Sequence, residues 1–248
     1  MAEFRSILKK VRSGKLDVGE AERMLRVDGV EMIEEFARID IGREKRVGIP
    51  EVILAEGKTP EQVVKIVEGM RGNVLVSRVD EQHLKAIRKK FGKVSYNRLA
   101  RIIVIVKHKA ERKGAVGVIT AGTSDIRVAE EATVVAETMG CTVKRAYDVG
   151  VAGIHRLFAP LREMMKEEVD VIVVVAGREG TLPSIVAGMV DVPVIGVPAS
   201  SGYGFGGRGE AALKSMLQSC SFLTVVNIDN GIGAGACAAQ IARRANEH

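Results

Sequence analysis

The stretch VDVIVVVAGREGTLPSIVAG, residues 169–188, decides the fold class of the C-terminal half. Its first nine residues form an apolar run far too short to span a bilayer, and such a run is typical of a buried strand. A helix is predicted near 181–190, directly after the loop that follows the strand. The stretch therefore predicts one strand–loop–helix unit.

The same unit repeats on both sides of this stretch. Five apolar strands are predicted within 115–122, 141–149, 169–177, 192–199 and 222–228. Five helices follow them at 126–139, 153–167, 181–190, 208–218 and 234–246. Strict alternation of this kind predicts an α/β domain, a doubly wound parallel sheet covered on both faces. Ligands in such sheets bind beyond the carboxyl ends of the strands.

The N-terminal half is predicted to be a smaller mixed α/β domain. Helices are expected at 3–12 and 17–27, and residues 39–62 combine a basic loop, a short strand and a Thr-Pro helix start. A helix to about 70, a strand at 73–79, a helix at 81–91 and an apolar run at 101–106 follow. We take the charged segment 107–114 as the linker, which gives domains 1–110 and 111–248.

Composition indicates a soluble, cytoplasmic protein. Apolar residues make up 46% of the chain and charged residues 27%, and the charged N-terminus does not have the pattern of a signal peptide. Cys141, Cys220 and Cys237 have neither disulfide nor metal-ligand spacing, so we expect reduced thiols. No membrane association is expected.

Positive charge is concentrated in the first half of the chain. Residues 1–113 hold 26 Lys and Arg against 17 Asp and Glu, whereas residues 114–248 hold 11 against 14. This imbalance favours an anionic partner, unless it is only a solvated surface. Aromatic residues are 4% of the chain and no nucleic-acid-binding motif is present, so a small phosphorylated ligand is favoured over a nucleic acid.

Polar residues follow the first three strands of the predicted sheet. Gly122, Thr123, Ser124 and Asp125 form a turn that could bind an anion or simply cap the next helix. After the second strand, His155 and Arg156 are either a surface pair or a proton relay and a phosphate clamp. After the third strand, Glu179 is either an anion stabilised at a helix start or a general base.

Glycine-rich segments follow the last two strands. Gly202, Gly204 and Gly207 formally spell G-x-G-x-x-G, but a dinucleotide fingerprint belongs to the first strand of a domain, so we interpret them as a loop or lid. In NIDNGIGAG, 227–235, Asn227 and Asp229 either satisfy backbone groups at a turn or contact ligand or Mg²⁺.

Judged from its sequence position alone, Cys220 is more simply interpreted as a packing residue than as a nucleophile. Free cysteines are among the most buried residue types, and Cys141 and Cys237 lie in apolar surroundings that favour packing too. Cys220 also precedes the fifth strand, which predicts that it lies at the sheet edge opposite the site of its own subunit.

Two resemblances extend this interpretation. TAGTSD at 120–125, HR at 155–156, AGREGTLPSIVAG at 176–188 and VPVIGVP at 192–198 resemble the PurE family of aminoimidazole ribonucleotide carboxylases over about residues 115–200. REKRVGIPEVILAEGKT at 43–59, DVGVAGIHRLFA at 148–159 and VVNIDNG at 225–231 resemble the LarB family, which makes pyridinium-3,5-biscarboxylic acid mononucleotide for nickel-pincer cofactor biosynthesis. This second resemblance covers nearly the whole chain.

The LarB resemblance implies a specific activity. Its substrate would be nicotinic acid adenine dinucleotide, which is carboxylated on the pyridinium ring with CO₂ or bicarbonate and hydrolysed at the phosphoanhydride, with Mg²⁺ as cofactor. It implies that Cys220, in the segment MLQSC, is a covalent nucleophile, that Glu179 is the base and that Asp125 handles metal or protons.

The remaining site residues are assigned to substrate binding. They are Gly122, Thr123, Ser124, His155, Arg156, Gly202, Gly204, Asn227, Asp229 and Asn230. The PurE relatives imply a homo-octamer with sites at subunit boundaries, where Cys220 could serve a neighbouring pocket. Two alternatives stay open: a PurE-like enzyme acting on aminoimidazole ribonucleotide, and a non-catalytic module that binds nucleotides or nucleic acid.

Overall fold

The computed structural model describes residues 2–21, 30–33, 37–40, 44 and 47–247. The chain forms two compact units, one made of residues up to 95 with 103–108, the other of 96–102 with 109–248. The domain boundary at 110 and 111, placed on the charged linker, stays a prediction. Among the described residues, no helix is long and apolar enough to cross a membrane.

The N-terminal part contains a small mixed sheet, as predicted. Its elements are α1 (Ala2–Arg12), β1 (Val30–Ile33), β2 (Ala37–Asp40), β3 (Glu51–Leu54), α2 (Pro60–Gly69), β4 (Val74–Ser77), α3 (Glu81–Phe91), β5 (Ser95–Asn97) and β6 (Ile102–Ile105). The order β3-β4-β6-β5 combines a parallel β3–β4 pair with an antiparallel β4–β6 pair, and β1 and β2 form a separate antiparallel ribbon. Residues 22–27 of the predicted second helix, and 41–43 and 45–46 of the basic loop, lie outside the described residues.

Side-chain caps fix where the two helices of this sheet begin. Thr59 accepts a hydrogen bond from the Gln62 backbone while the Gln62 side chain accepts one from the Thr59 backbone, which is a capping box at α2. Asp80 accepts hydrogen bonds from the backbone N–H groups of Gln82 and His83 at the start of α3. The bond from His83 lowers the pKa of Asp80 because it stabilises the carboxylate.

The C-terminal part is the predicted all-parallel α/β domain. Its elements are β7 (Ala115–Thr120), α4 (Ile126–Thr138), β8 (Thr142–Ala146), α5 (His155–Lys166), β9 (Val171–Ala176), α6 (Leu182–Ala187), β10 (Val194–Pro198), α7 (Glu210–Leu217), β11 (Thr224–Val225) and α8 (Gly231–Ala245). The strand order is β8-β7-β9-β10-β11, and every adjacent pair is parallel. The five strands and five helices confirm the sequence prediction.

Helices cover both faces of this sheet. On one face, α5, α6 and α7 bury a core that includes Leu157, Leu182 and Met216 against Ile172 and Val174 of β9. On the other face, α4 and α8 pack closely together. A side chain at Gly235 of α8 would collide with the backbone oxygen of Ala132 in α4, so glycine permits this close approach.

The strand order fixes where a ligand site can form. The chain leaves β7 to one side for β8 and then returns to the other side for β9. The loops after β7 and β9 therefore diverge and leave a crevice at the carboxyl edge of the sheet, which is the usual ligand position in doubly wound folds.

Candidate active site

A cavity of about 490 Å³ occupies this crevice at the carboxyl edge. Its volume lies in the range of small-molecule sites, about 300–1,000 Å³. Loops after four successive strands line it, and they supply Ala121, Gly122, Ser124, Asp125, Asp148, Gly150, Val151, Ala152, Arg156, Ala176, Gly177, Arg178, Glu179, Gly180, Thr181, Leu182, Ser201 and Tyr203. Five of the predicted site residues are in this wall: Gly122, Ser124, Asp125, Arg156 and Glu179.

Asp125 is the buried acid of the cavity, with 4% of its surface exposed. One carboxylate oxygen accepts a hydrogen bond from the Gly122 backbone at 2.9 Å, and the other accepts one from the Ser201 hydroxyl at 2.5 Å. These bonds hold the loop after β7 against the loop after β10. Thr123 is exposed and is not among the lining residues.

Asp148 and Arg156 form an ion pair across the loop after β8. Arg156 Nη1 lies 2.7 Å from Asp148 Oδ2, and both residues line the cavity. Asp148 has a φ of 59°, a left-handed conformation that is uncommon for residues other than glycine and is enriched at functional sites. His155 is exposed at the first position of α5 and does not line the cavity of its own chain, so both interpretations of His155 stay predictions.

Glu179 is the exposed acid of the cavity. It makes no hydrogen bond or ion pair with any described residue, whereas Asp125 and Asp148 both have polar partners. A carboxylate in this position is available to take a proton from a ligand, which is what a general base requires.

The residues after β11 have structural partners outside the cavity. Asp229 accepts two hydrogen bonds from Ser200, at 2.9 Å from the backbone and 2.5 Å from the hydroxyl, and lies 3.2 Å from Arg127 Nη2. Asn230 caps α8 by accepting a hydrogen bond from the Gly233 backbone. α8 begins at Gly231, ahead of the predicted start at 234.

Seven of the ten predicted substrate-binding residues therefore lack a place in the cavity wall of a single chain: Thr123, His155, Gly202, Gly204, Asn227, Asp229 and Asn230. Asn227, like Asp229 and Asn230, is absent from that wall, and its side chain accepts a hydrogen bond from the backbone of Ile228. Gly202 and Gly204 belong to the loop after β10 but do not line the cavity either, so for these glycines the lid interpretation stays a prediction.

Cys220 lies at the opposite edge of the sheet, as its position before the fifth strand predicted. It follows α7 and is exposed, and it does not line the cavity of its own chain. The next residue, Ser221, donates a hydrogen bond from its hydroxyl to the Ser184 backbone oxygen at 2.8 Å, which anchors the segment to α6. Cys141 is buried, and burial raises its pKa to about 11.

The cavity carries charges of both signs but no preformed metal cage. Three carboxylates and two arginines line it, and no three His, Cys, Asp or Glu side chains are grouped as metal ligands in the part of the chain that the structure describes. Mg²⁺ is commonly held by one or two carboxylates together with substrate phosphates, and Asp125 in the cavity wall fits that smaller donor set.

Comparison with known proteins assigns the family. Residues 30–109 match the model of the LarB/PurE-like N-terminal domain, and residues 115–248 match the model of AIR carboxylase. The chain belongs to the AIR carboxylase family, with a LarB-type N-terminal domain. Its domains are those of a carboxylase- or mutase-type enzyme.

Relatives match either the whole chain or its second domain. An uncharacterized protein of Methanocaldococcus jannaschii is 44% identical over 252 residues, covering 97% of each chain. The N5-carboxyaminoimidazole ribonucleotide mutase of Pyrococcus horikoshii is 30% identical over 146 residues, 57% of this chain and 73% of that protein. The mutase of Methanocaldococcus jannaschii is 32% identical over 127 residues, 50% of this chain and 76% of its own.

Several cavity residues with polar side chains were not selected from the sequence, among them Asp148, Arg178, Ser201 and Tyr203. Arg178, Ser201 and Tyr203 lie directly after predicted strands and Asp148 lies at the end of one, so their position was available as a signal. Arg178 is next to Glu179, which was selected, and Tyr203 is one of two aromatic residues in the glycine loop.

Proposed function

We propose that this enzyme carboxylates the pyridinium ring of nicotinic acid adenine dinucleotide and hydrolyses its phosphoanhydride, giving pyridinium-3,5-biscarboxylic acid mononucleotide and AMP. The observation that carries the proposal is the order of the two domains, a LarB-type domain followed by a carboxylase domain across nearly the whole chain. CO₂ or bicarbonate is the co-substrate.

The reaction needs a way to make an electron-poor ring nucleophilic. Addition of the Cys220 thiolate para to the ring nitrogen forms a carbon–sulfur bond and converts the pyridinium into a dihydropyridine with enamine character. The neighbouring ring carbon then attacks CO₂ and forms a carbon–carbon bond. Glu179 removes the proton from that carbon, and the electron pair expels the thiolate and restores the aromatic ring.

The charges of the cavity suit both ends of this substrate. A cationic ring is favoured next to the carboxylates of Asp125, Asp148 and Glu179, while Arg156 provides positive charge for phosphates. Bound Mg²⁺ would neutralise phosphate charge, held by Asp125 with the substrate's own oxygens, which leaves Glu179 free to act as the base.

Cys220 would act in the cavity of a neighbouring subunit. Its exposed position at the opposite edge of its own sheet leaves it available to a second copy of the chain. We propose a homo-octamer in which each complete site combines the cavity of one subunit with Cys220 of another.

The test is turnover of nicotinic acid adenine dinucleotide with bicarbonate and Mg²⁺, followed by mass spectrometry. The wild-type protein is expected to release AMP and the doubly carboxylated mononucleotide, while Cys220→Ala and Glu179→Gln lose carboxylation. Cys237→Ala is the matched control, because this half-buried thiol of α8 has no place in the mechanism. Unchanged dinucleotide after incubation with folded wild-type protein, or full activity in Cys220→Ala, would contradict the proposal.

A second candidate is a PurE-like carboxylase or mutase acting on aminoimidazole ribonucleotide. It is favoured by the 30–32% identity to N5-carboxyaminoimidazole ribonucleotide mutases and by a single-chain cavity with no thiol in its wall. This reaction needs no nucleophilic cysteine, so Cys220→Ala would keep it. Parallel assays with the two substrates separate the candidates.

A further inference from the structure

Tyr203 is the one aromatic side chain in the wall of the cavity that the described residues form. It stands on the loop after β10 and is 76% exposed. The guanidinium of Arg178 lies over one face of its ring, 4.5 Å from the ring centroid. Because Arg178 occupies that face, the opposite face of the ring is the one left for a planar ligand.

The backbone fixes Tyr203 and Arg178 relative to each other. A side chain at Gly202 would place its Cβ 2.6 Å from the Arg178 nitrogen, so the loops after β9 and β10 touch at that point. Arg178 itself has a φ of 43°, in the left-handed region. The backbone contact between the two loops places Tyr203 and Arg178 side by side, and the stacked guanidinium restricts the ring, which reduces the entropy lost on binding.

We propose that Tyr203 is the stacking platform for the neutral purine base of a dinucleotide substrate, and that Arg178 is its positioning residue. This inference rests on the proposed function, because it assigns a place to the adenine half of that substrate. Aromatic side chains stack on nucleobases through their π faces, and every purine offers such a face.

The charge of Arg178 determines whether the adenine or the pyridinium ring of the substrate stacks on Tyr203. A guanidinium already occupies one face of Tyr203, so a cationic pyridinium on the other face would place two positive charges on one ring. A neutral adenine meets no such repulsion. The pyridinium is favoured instead near Glu179 and Asp125, where the proposed chemistry needs it.

Phe205 provides a matched control on the same loop. It is two residues further along, fully exposed, and not part of the cavity wall. If the exposed aromatic residues of this loop served only to contact a neighbouring subunit, replacing either one would have the same effect on ligand binding. If Tyr203 is a base platform, only its replacement weakens binding of a purine nucleotide.

The experiment is calorimetric titration of the full-length protein with two separate halves of the substrate, AMP and nicotinic acid mononucleotide. Tyr203→Leu is expected to raise the Kd for AMP about tenfold or more, the effect of losing one base–aromatic stack. Its Kd for nicotinic acid mononucleotide is expected to stay unchanged. Tyr203→Phe and Phe205→Leu are expected to bind AMP as the wild-type protein does.

Arg178 is tested by conservative rescue. Arg178→Met is expected to weaken AMP binding, and Arg178→Lys to restore part of it because an ammonium group also interacts with a ring face. In turnover of the dinucleotide, Tyr203→Leu is expected to raise KM with little change in kcat, since the stack is equal in ground and transition states.

Three results of the binding titrations would overturn the inference: no AMP binding by the wild-type protein, an unchanged Kd for AMP in Tyr203→Leu, or equal weakening of the binding of both nucleotides. The last would mean that Tyr203 only supports the loop. Failure of the proposed function is distinguishable, because AMP binding that depends on Tyr203 can occur without dinucleotide turnover. Conversely, turnover with an unchanged KM in Tyr203→Leu would leave the function standing and reject the platform.

Discussion

Glu179 and Asp125 differ in what holds each carboxylate. Asp125 is buried and has both oxygens engaged by Gly122 and Ser201, which suits a residue that fixes loop geometry. Glu179 is exposed in the cavity and has no polar partner among the described residues, which suits a residue that exchanges protons with a ligand. Two acids of one cavity thus have environments that favour different roles.

The cysteines are expected to differ in reactivity because they differ in burial. Cys141 is buried and its pKa is raised to about 11, so at pH 8 it carries little thiolate, the form that reacts with alkylating agents. Cys220 is exposed. Brief treatment with iodoacetamide at pH 8, followed by peptide mass spectrometry, is expected to label Cys220 and spare Cys141. Preferential labelling of Cys141 would contradict the burial described here.

At this scale the sequence predicted part of the cavity. The rule that ligands bind after the strands selected Gly122, Ser124, Asp125, Arg156 and Glu179, and the structure brings these together. The rule did not distinguish these cavity residues from Asn227, Asp229 and Asn230, because every strand of a parallel sheet ends at the same edge. Only the strand order decides which loops border the crevice, and it cannot be read from a regular alternation of strands and helices.

Among the secondary-structure elements, the loops after β9 and β10 depend on close backbone contact. Gly202→Ala is expected to lower stability by about 1–3 kcal/mol, the usual effect of overpacking, because its Cβ would lie 2.6 Å from the Arg178 nitrogen. Gly122→Ala is the control, since its Cβ would meet only Asp125 Oδ2 at 3.6 Å. Thermal unfolding of both variants measures the difference, and equal melting temperatures would contradict this contact.

The N-terminus of α3 should make stability depend on pH. The folded state lowers the pKa of Asp80, so the stabilisation is fully present above the unfolded value of about 3.9 and is lost as the pH falls through the lower, folded value. Asp80→Ala is expected to cost about 1 kcal/mol at pH 7, because a helix cap is removed. This cost should shrink in acid.

Denaturant titrations of wild type, Asp80→Ala and Asp80→Asn at pH 7 and pH 3 measure this dependence. Asparagine keeps a hydrogen-bond acceptor for the backbone of Gln82 and His83 but has no charge. It is therefore expected to lose less stability than alanine at pH 7. A cost for Asp80→Ala that grows as the pH falls would show that the cap acts in another way.

The secondary structure of the C-terminal part was predictable because each strand and each helix carries its own signal. Strand β9 is buried along all six residues, and its continuous apolar run predicts a strand of this kind. The start of α8 was less predictable: Gly231, Gly233 and Gly235 suggested a turn, but all three are helical residues, and Gly231 and Gly235 pack against α4. Glycine at a close helix contact and glycine in a turn look the same in a sequence.

At the level of the whole molecule, the position of Cys220 predicts that complete sites need two subunits. Cys220→Ala and Glu179→Gln each remove one part of the site, and co-expression is expected to restore activity in hybrid assemblies. With random mixing, about a quarter of the sites would receive an intact cavity from one variant and an intact cysteine from the other. Each variant assembled alone is the control.

Activity of the co-expressed variants no higher than that of the separate ones would place both residues in a single chain's site. The sequence could not predict this arrangement from its own pattern. Strand position indicated only that Cys220 is on the edge opposite the cavity, and symmetry between copies is not encoded in any periodicity along one chain.

The most direct test of the proposed chemistry is the fate of labelled bicarbonate. The protein is incubated with nicotinic acid adenine dinucleotide, Mg²⁺ and ¹³C-bicarbonate, and the pyridinium product is analysed by mass spectrometry. We predict a mononucleotide that carries one added, labelled carboxylate on the ring, together with AMP, and no such product from Cys220→Ala. Unchanged dinucleotide, or a mononucleotide without the label, would contradict the account.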